Sequence, residues 1–335
     1  MWDTSRVRWI VIALGGLLLA AFALIVVGWA VFLRMPGQSY SGQLPPPTKT
    51  ELDLARELRR HVDALASDIG ERNAEHPEAL EGAAVYISRE LADLGYQPER
   101  HEYEAYGRTF ANVEAALEGG DEIVIIGAHY DSERGTPGAD DNASGVAAML
   151  ALARFMKGRS PVRTVRFVAF ANEEQPHFQT LAMGSWRYAQ RSRARGEDVV
   201  AMLSLESMGY YSDEPGSQHY PPPLSLVYPS EGNFIGFVGN VRSRKLTRRA
   251  VASFRGAVRF PSEGAALPEA VPGVGWSDHW AFWQEGYPAI MVTDTAPFRN
   301  PHYHRASDTS ETLDYKRLAR VVIGLEAVID DLAGR

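Results

Sequence analysis

The sequence predicts an α/β domain on a mostly parallel, mixed sheet with helices on both faces, preceded by one transmembrane helix. Three observations carry this reading. From residue 51 onward, apolar runs of strand length alternate with stretches of helical periodicity. Residues with metal-ligand chemistry follow directly on those apolar runs, at the carboxyl ends where open α/β sheets build their sites. Near the amino terminus, Trp9 to Leu33 runs without a charge, long enough to cross a bilayer with some tilt.

Residues 51–68 place Leu54, Leu58, Val62, Leu65 and Ile69 at helical spacing. A second helix fits 78–94, with Leu80, Ala84, Ile87 and Leu91 on one side and Gly95 as its stop. Strands follow at 97–105, 109–117 and 122–128. A helix opens on small residues at Ser144 and runs to Phe155. The alternation continues with a strand at 164–171, a helix at 184–193 and a strand at 199–205. Residues 210–235, rich in Pro and Tyr, interrupt it, and a loop of that length predicts a lid or a binding wall. A helix at 277–285, a strand at 288–294 and an amphipathic helix at 311–333 complete the order.

With 335 residues and 45% apolar content the chain can fill one large core. A net charge of −8 argues against a nucleic-acid surface. The absence of Cys excludes a thiolate metal site, a Cys nucleophile and disulfides. Arg6 and Arg8 precede the uncharged stretch and Arg34 follows it. The apolar run is longer than a signal-peptide core and ends in bulky Trp29, Val31, Phe32 and Leu33, which favours an uncleaved anchor. The expected organisation is a cytoplasmic tail at 1–8, a transmembrane helix at 9–33 held in the lipid bilayer, a Pro-rich spacer at 34–50 lifting the rest off the membrane, and a folded domain at 51–335. The positive-inside bias places that domain outside the cytoplasm, in the periplasm or extracellular space.

The ligand-type residues are His129 in GAHYD, Asp140 in PGADDNASG, Glu173-Glu174 in FANEE, Glu206 in LSLES and His304 in HYHRASDT. Imidazole nitrogen mixed with carboxylate oxygen suits zinc, and two ions sharing one carboxylate make a hydrolytic centre. Asp131, two residues after His129, can orient a ligating imidazole through its other ring nitrogen. Adjacent acids at a strand end point in different directions, so of Glu173 and Glu174 one can hold a metal while the other faces water as a base. Ser277-Asp278-His279 reads as support for the site rather than a nucleophilic triad, since no GxSxG elbow is present.

In order and spacing, GAHYDS, PGADDNASG, FANEE, SDHWAF and YHRASDT resemble the M28 family of zinc aminopeptidases, over residues 51–335. The resemblance implies two zinc ions bridged by Asp140. His129 and Glu206 then complete one site, Glu174 and His304 the other. Glu173 is the implied general base, Asp131 orients His129, and Tyr303 donates to the developing oxyanion. It further implies a cis peptide between Asp140 and Asp141, and peptides as substrates, cut at their amino termini. Glu206 stands where Asp is more common, and Arg305 where Thr is usual. Two other functions share this fold: a single-zinc glutaminyl cyclase, and a peptidase-like ectodomain that only binds.

Overall fold

A computed structural model describes residues 28–334 and, ahead of them, only Arg8, Trp9, Leu14 and Gly16. The stretch 9–33 therefore lies largely outside the described residues, as does the tail 1–8. Among the described residues, no helix is long and apolar enough to cross a membrane.

Among the described residues, eight strands form one sheet: β1 (Glu99–Ala105), β2 (Arg108–Leu117), β3 (Gly120–His129), β4 (Arg163–Phe170), β5 (Asp198–Glu206), β6 (Ile235–Asn240), β7 (Ser262–Leu267) and β8 (Ala289–Thr293). Their order is β1-β2-β4-β3-β5-β8-β6-β7. The central four, β4, β3, β5 and β8, run parallel. β1 and β2 form an antiparallel hairpin on one flank, and β6 runs antiparallel to β8 on the other. The hairpin turn is Tyr106-Gly107, both at positive φ, the geometry that matches strand twist. The strand order reverses about β3, so its carboxyl end lies at the crevice where α/β sheets bind ligands.

β3 shows why the sheet needs cover on both faces. Val124, Ile126 and Ala128 join one core, while Ile123 and Ile125 join the other. The first core is closed by helices α1 (Lys49–Val62), α2 (Pro77–Asp93), α3 (Gly145–Met156), α5 (Arg244–Ala257) and α8 (Tyr315–Leu332). The second is closed by α4 (Gly184–Ala194) and α6 (His279–Gln284), through Tyr188, Ala189, Phe282 and Trp283. A short α7 (Ala296–Arg299) follows β8. α3 is apolar nearly all round because the sheet, α1 and α8 enclose it. Its first residue, Gly145, abuts β5: a Cβ there would lie 2.5 Å from the Leu205 carbonyl. That approach sets the turn before α3 against the end of β5.

The elements expected between residues 51 and 205 occur within a few residues of their expected bounds. β6, α5 and β7 were not anticipated, and they extend the sheet by two strands beyond β8.

Residues 34–50 are not a spacer. Met35 and Leu44 pack against the first core. The Arg248 guanidinium donates to the Arg34 carbonyl, Arg255 Nη1 to the Pro36 carbonyl at 2.9 Å, and Arg320 Nη2 to the Pro45 carbonyl at 3.0 Å. Ser39 Oγ accepts from the Ser262 amide at 2.9 Å. Thr48 and Glu51 close a capping box on α1. The Pro run keeps the segment extended, but an extended strap has carbonyls to offer, and three arginines take them. The strap thereby covers β7, the free edge of the sheet. A chain beginning at residue 46 should melt at least about 5 °C below one beginning at residue 34. Equal melting temperatures in calorimetry would restore the free-spacer reading.

Candidate metal centre

The site gathers at the carboxyl ends of β3, β4 and β5. Pairing puts His129 opposite Phe170 and Gly127 opposite Ser204, so the three ends are level. His129 terminates β3 and is fully buried. Its Nε2 lies 3.2 Å from Asp141 Oδ1, 3.3 Å from Glu206 Oε2 and 3.9 Å from Glu173 Oε2. His304 Nε2 lies 3.0 Å from Asp141 Oδ2 and 3.4 Å from Glu174 Oε2. One carboxylate, Asp141, thus stands between two imidazoles with one oxygen toward each.

The residue in that position is Asp141 and not Asp140, which corrects the expectation by one place. Asp140 points the other way: Oδ1 accepts from the Gly209 amide at 2.8 Å and Oδ2 from Asn300 Nδ2 at 2.7 Å. Its oxygens are committed to holding the turn. The cis peptide is displaced likewise, lying between Asp141 and Asn142. Which neighbour faces the imidazoles is decided by Asp141 leaving helical geometry, at φ −109° and ψ 90°. Asn142 then ties the turn to β5, donating to the Leu205 carbonyl at 2.8 Å and accepting from the Ser207 amide at 3.1 Å.

Asp131 does more than face His129, whose Nδ1 is 3.5 Å away. Its two oxygens accept the amides of Glu173 and Glu174 at 3.1 and 3.0 Å, fastening β3 to the segment after β4. Glu206 reaches His129 despite its extra methylene, and Ser277 Oγ donates to its Oε2 at 2.7 Å. His279 bonds the Val274 carbonyl, so Ser277-Asp278-His279 forms no triad. The Tyr303 ring stacks on His304 at 3.8 Å between centroids. Three non-glycine residues at or beside the site adopt positive φ: Asn172, Ser207 and His304. Such backbone persists only where surrounding structure enforces it, and it concentrates at functional sites.

Two supports escaped the sequence reading. Asp308 accepts the amides of Asp140 and Asp141 at 2.9 and 3.2 Å, from the far end of the chain. It sits in YHRASDT, so its motif was visible though its role was not. Arg72 is fully buried and donates to the Tyr130 carbonyl at 2.7 Å and the Gly138 carbonyl at 2.8 Å, clasping the loop between His129 and Asp141. Nothing in its local sequence marks it.

Burial raises Glu173 well above the usual carboxylate range, and Glu174, Glu206 and Asp278 raise it further against the opposing pull of His129. Burial likewise lifts Glu174 to about 8, with Asp141 adding repulsion. His304 rises to about 11 against its burial, held there by Asp141 and Glu174. Asp141 falls below its ordinary value despite burial, because both imidazoles favour its charge. Both ring nitrogens of His129, Asp141 Oδ1 and Glu174 Oε1 are buried without a hydrogen-bond partner. His129, Asp141 and Glu206 can bring ligand atoms within 4.8 Å of one another, as can His129, Glu173 and Glu174. Orphaned nitrogen and oxygen donors converging on one space fit a divalent cation of zinc type.

Glu206 and Tyr303 also line an apolar cavity of ≈ 100 Å³ that is continuous with this cluster. Its walls include Tyr220, Leu224, Phe234, Phe237, Trp276 and Phe298. The long 210–235 segment thus walls one side of this cavity.

The sequence profile of Peptidase family M28 matches residues 112–328. YfbL of Escherichia coli (strain K12) is 37% identical over 279 residues, covering 80% of this chain and 85% of its own length. A probable leucine aminopeptidase of Arthroderma otae is 28% identical over 230 residues, 63% of this chain and 54% of its own length. Among solved structures, BSAP, a zinc aminopeptidase from Bacillus subtilis, superposes with a TM-score of 0.64 at 15% identity, over 87% of this chain and 96% of that one. Fimbriiglobus ruber glutaminyl cyclase gives 0.62 at 19% identity, over 89% and 99%. At these identities the two structures show a shared fold.

The geometry separates the two neighbouring aspartates experimentally. Asp141→Asn should lose most bound metal, whereas Asp140→Asn should keep it and lower stability by about 1–3 kcal/mol through its buried hydrogen bonds. Metal analysis of the two purified variants decides, and loss confined to Asp140→Asn would reverse the assignment.

Proposed function

The chain belongs to peptidase family M28, and from that premise we propose that it is a zinc-dependent aminopeptidase working with two ions per chain. The observation that carries the proposal is the Asp141 carboxylate between His129 and His304, at 3.2 and 3.0 Å. His129 and Glu206 would hold one ion, Glu174 and His304 the other, with Asp141 shared. Zinc bound there supplies Lewis acidity toward a peptide carbonyl and makes nearby water a better acid.

The remaining chemistry belongs to side chains. Glu173 faces the same space as the ligands but stands farther from His129 than Asp141 or Glu206 does. Its raised proton affinity suits a general base, which works best when its pKa approaches the working pH. It takes the proton of the attacking water and returns it to the leaving amine. Asp131 positions Glu173 and Glu174 through their amides. Tyr303 stays protonated, its pKa pushed well above the ordinary phenol value by burial and by Asp141 and Glu174, so its hydroxyl can donate to a developing oxyanion. The apolar cavity accepts the amino-terminal side chain, and an anionic side chain there would lose its hydration beside the lining carboxylates Glu206 and Glu263. The glutaminyl-cyclase reading requires one ion per chain, so metal content separates the two.

We further place the uncharged stretch that begins at residue 9 across a membrane, up to the turn Trp29–Leu33 that packs on the domain, with the amino terminus in the cytoplasm and the peptidase domain outside it. The uncharged stretch and its Arg flanks support this.

Glu173→Gln should lower kcat by about 10²–10⁴ on a leucyl anilide while both ions remain. The wild-type enzyme should favour leucyl over aspartyl anilides by at least about 10²-fold in kcat/KM. Near-normal turnover by Glu173→Gln would sink the mechanism, and indifference to the side chain would remove the cavity from it.

A further inference from the structure

The strap that covers β7 fixes where the end of the anchor must lie. Trp29–Leu33 forms one helical turn, and Phe32 and Leu33 pack against the second core beside Ala265 and Leu267 of β7. Met35 crowds Gly264 from one side, and Tyr228 Oη donates to the Gly264 carbonyl at 2.8 Å from another. The loop 221–228 is therefore a neighbour of the point where the uncharged stretch ends. No slack chain separates that point from the domain.

Two surface features border the strap, one on each face of this edge of the sheet. The loop 221–228 exposes apolar side chains: Leu226 is 84% accessible and Val227 48%, while Trp29 at the strap is 46% accessible. Pro221, Pro222 and Pro223 precede them and stiffen the loop. The second feature is charge. Arg242, Arg244, Lys245, Arg248 and Arg249 lie within eight residues at the start of α5, in a chain whose net charge is −8; Arg249 is committed to Asp331 of α8, so the charges offered to a surface are chiefly those of Arg242 and Lys245. The Arg248 contact to the Arg34 carbonyl puts this run beside the strap. Bulky apolar side chains flanked by basic ones are what an interfacial membrane contact requires. The apolar groups enter the headgroup–acyl boundary, and each basic group near an anionic surface adds about 1 kcal/mol.

We propose that this edge of the domain docks on the anionic surface of the bilayer that holds the anchor. Leu226 and Val227 enter the interface, and Arg242 and Lys245 meet lipid phosphates. The proposal rests on the reading of the uncharged stretch from residue 9 as an anchor. Loop 221–228 also supplies Pro221, Leu224 and Tyr228 to the apolar cavity. Docking would hold the substrate-binding wall at the membrane surface and favour peptides that partition there.

The chain has no Cys, so single spin labels report one place each. The full-length protein is reconstituted in nanodiscs of phosphatidylcholine, alone or mixed equally with phosphatidylglycerol, with labels at Leu14→Cys, Val85→Cys or Leu226→Cys. Val85 is exposed on α2, at the opposite flank of the sheet, and serves as the aqueous control. In the mixed discs, the label at 226 should collide more with oxygen than with an aqueous nickel chelate, as the label at 14 does and the label at 85 does not. Phosphatidylcholine alone, or Arg242→Gln with Lys245→Gln, should shift position 226 toward water. A label at 226 that stays aqueous while position 14 is in lipid overturns the docking and leaves the anchor standing. Water at both positions overturns the anchor and the docking with it. Equal immersion in both lipids, unmoved by the Gln substitutions, overturns the anionic assignment.

Discussion

Like charge gathered in a dry space is the constraint on which the rest of this structure depends. Asp131, Asp140, Asp141, Glu173, Glu174, Glu206, Asp278, Asp294 and Asp308 are all buried around the site. Facing them are two imidazoles and the guanidiniums of Arg72 and Arg299. That balance leaves the cluster anionic when its carboxyls ionise, and uncompensated buried charge is among the most destabilising arrangements a fold can hold. Some of these acids are quenched by amide donors, as Asp131 and Asp308 are. Others, above all Glu173 and Glu174, are left with raised proton affinity. A bound cation would relieve both problems, and a base with raised affinity is what hydrolysis needs.

The sheet makes this arrangement reachable. Parallel strands bring their carboxyl ends level, so residues far apart in sequence deliver side chains to one crevice. Helix α3 contributes by its lack of bulk, since Gly145 lets the turn before it press against β5 and sets Asp141 beside Glu206. The hydrogen bonds from Asp308, Asn142 and Arg72 then fix a turn that the apolar core alone would leave free. The site is thus stabilised from several elements, while its own acids work against stability.

Much of this was legible in the sequence because strand ends and ligand chemistry are local signals. His129, Glu174, Glu206 and His304 each follow an apolar run or sit in a short motif, and each lies in the cluster. The choice between Asp140 and Asp141 was not legible. Both are acids at the mouth of one helix, and only the dihedrals of the turn, held by Asp308 from 167 residues away, decide which faces inward. Arg72 was invisible for a similar reason, since its partners are carbonyls that any sequence supplies. β6 and β7 were missed because IGFVGN and SEGAAL lack the bulky β-branched runs that mark a strand. α5 does carry a helical signal, in Leu246, Ala250, Val251 and Phe254. At 34–50 a Pro-rich composition describes stiffness, not whether neighbouring arginines will bind its carbonyls.

The central claim is that a cation offsets the buried acids, and thermal melting across pH with and without zinc tests it most directly. The sign follows from groups whose folded pKa is raised. Glu174, lifted to about 8, and Glu173, lifted in the same direction, favour the folded state fully below the unfolded carboxylate pKa. That contribution is lost as pH climbs through the folded value. Asp308 at about 8 and Asp278 at about 7 act in the same sense. The chelated protein should therefore melt roughly 5–10 °C lower at pH 8.5 than at pH 5, and saturating zinc should abolish most of that fall. A chelated protein whose melting temperature is flat or rises over this range, or one that zinc does not stabilise at pH 8.5, would contradict the account.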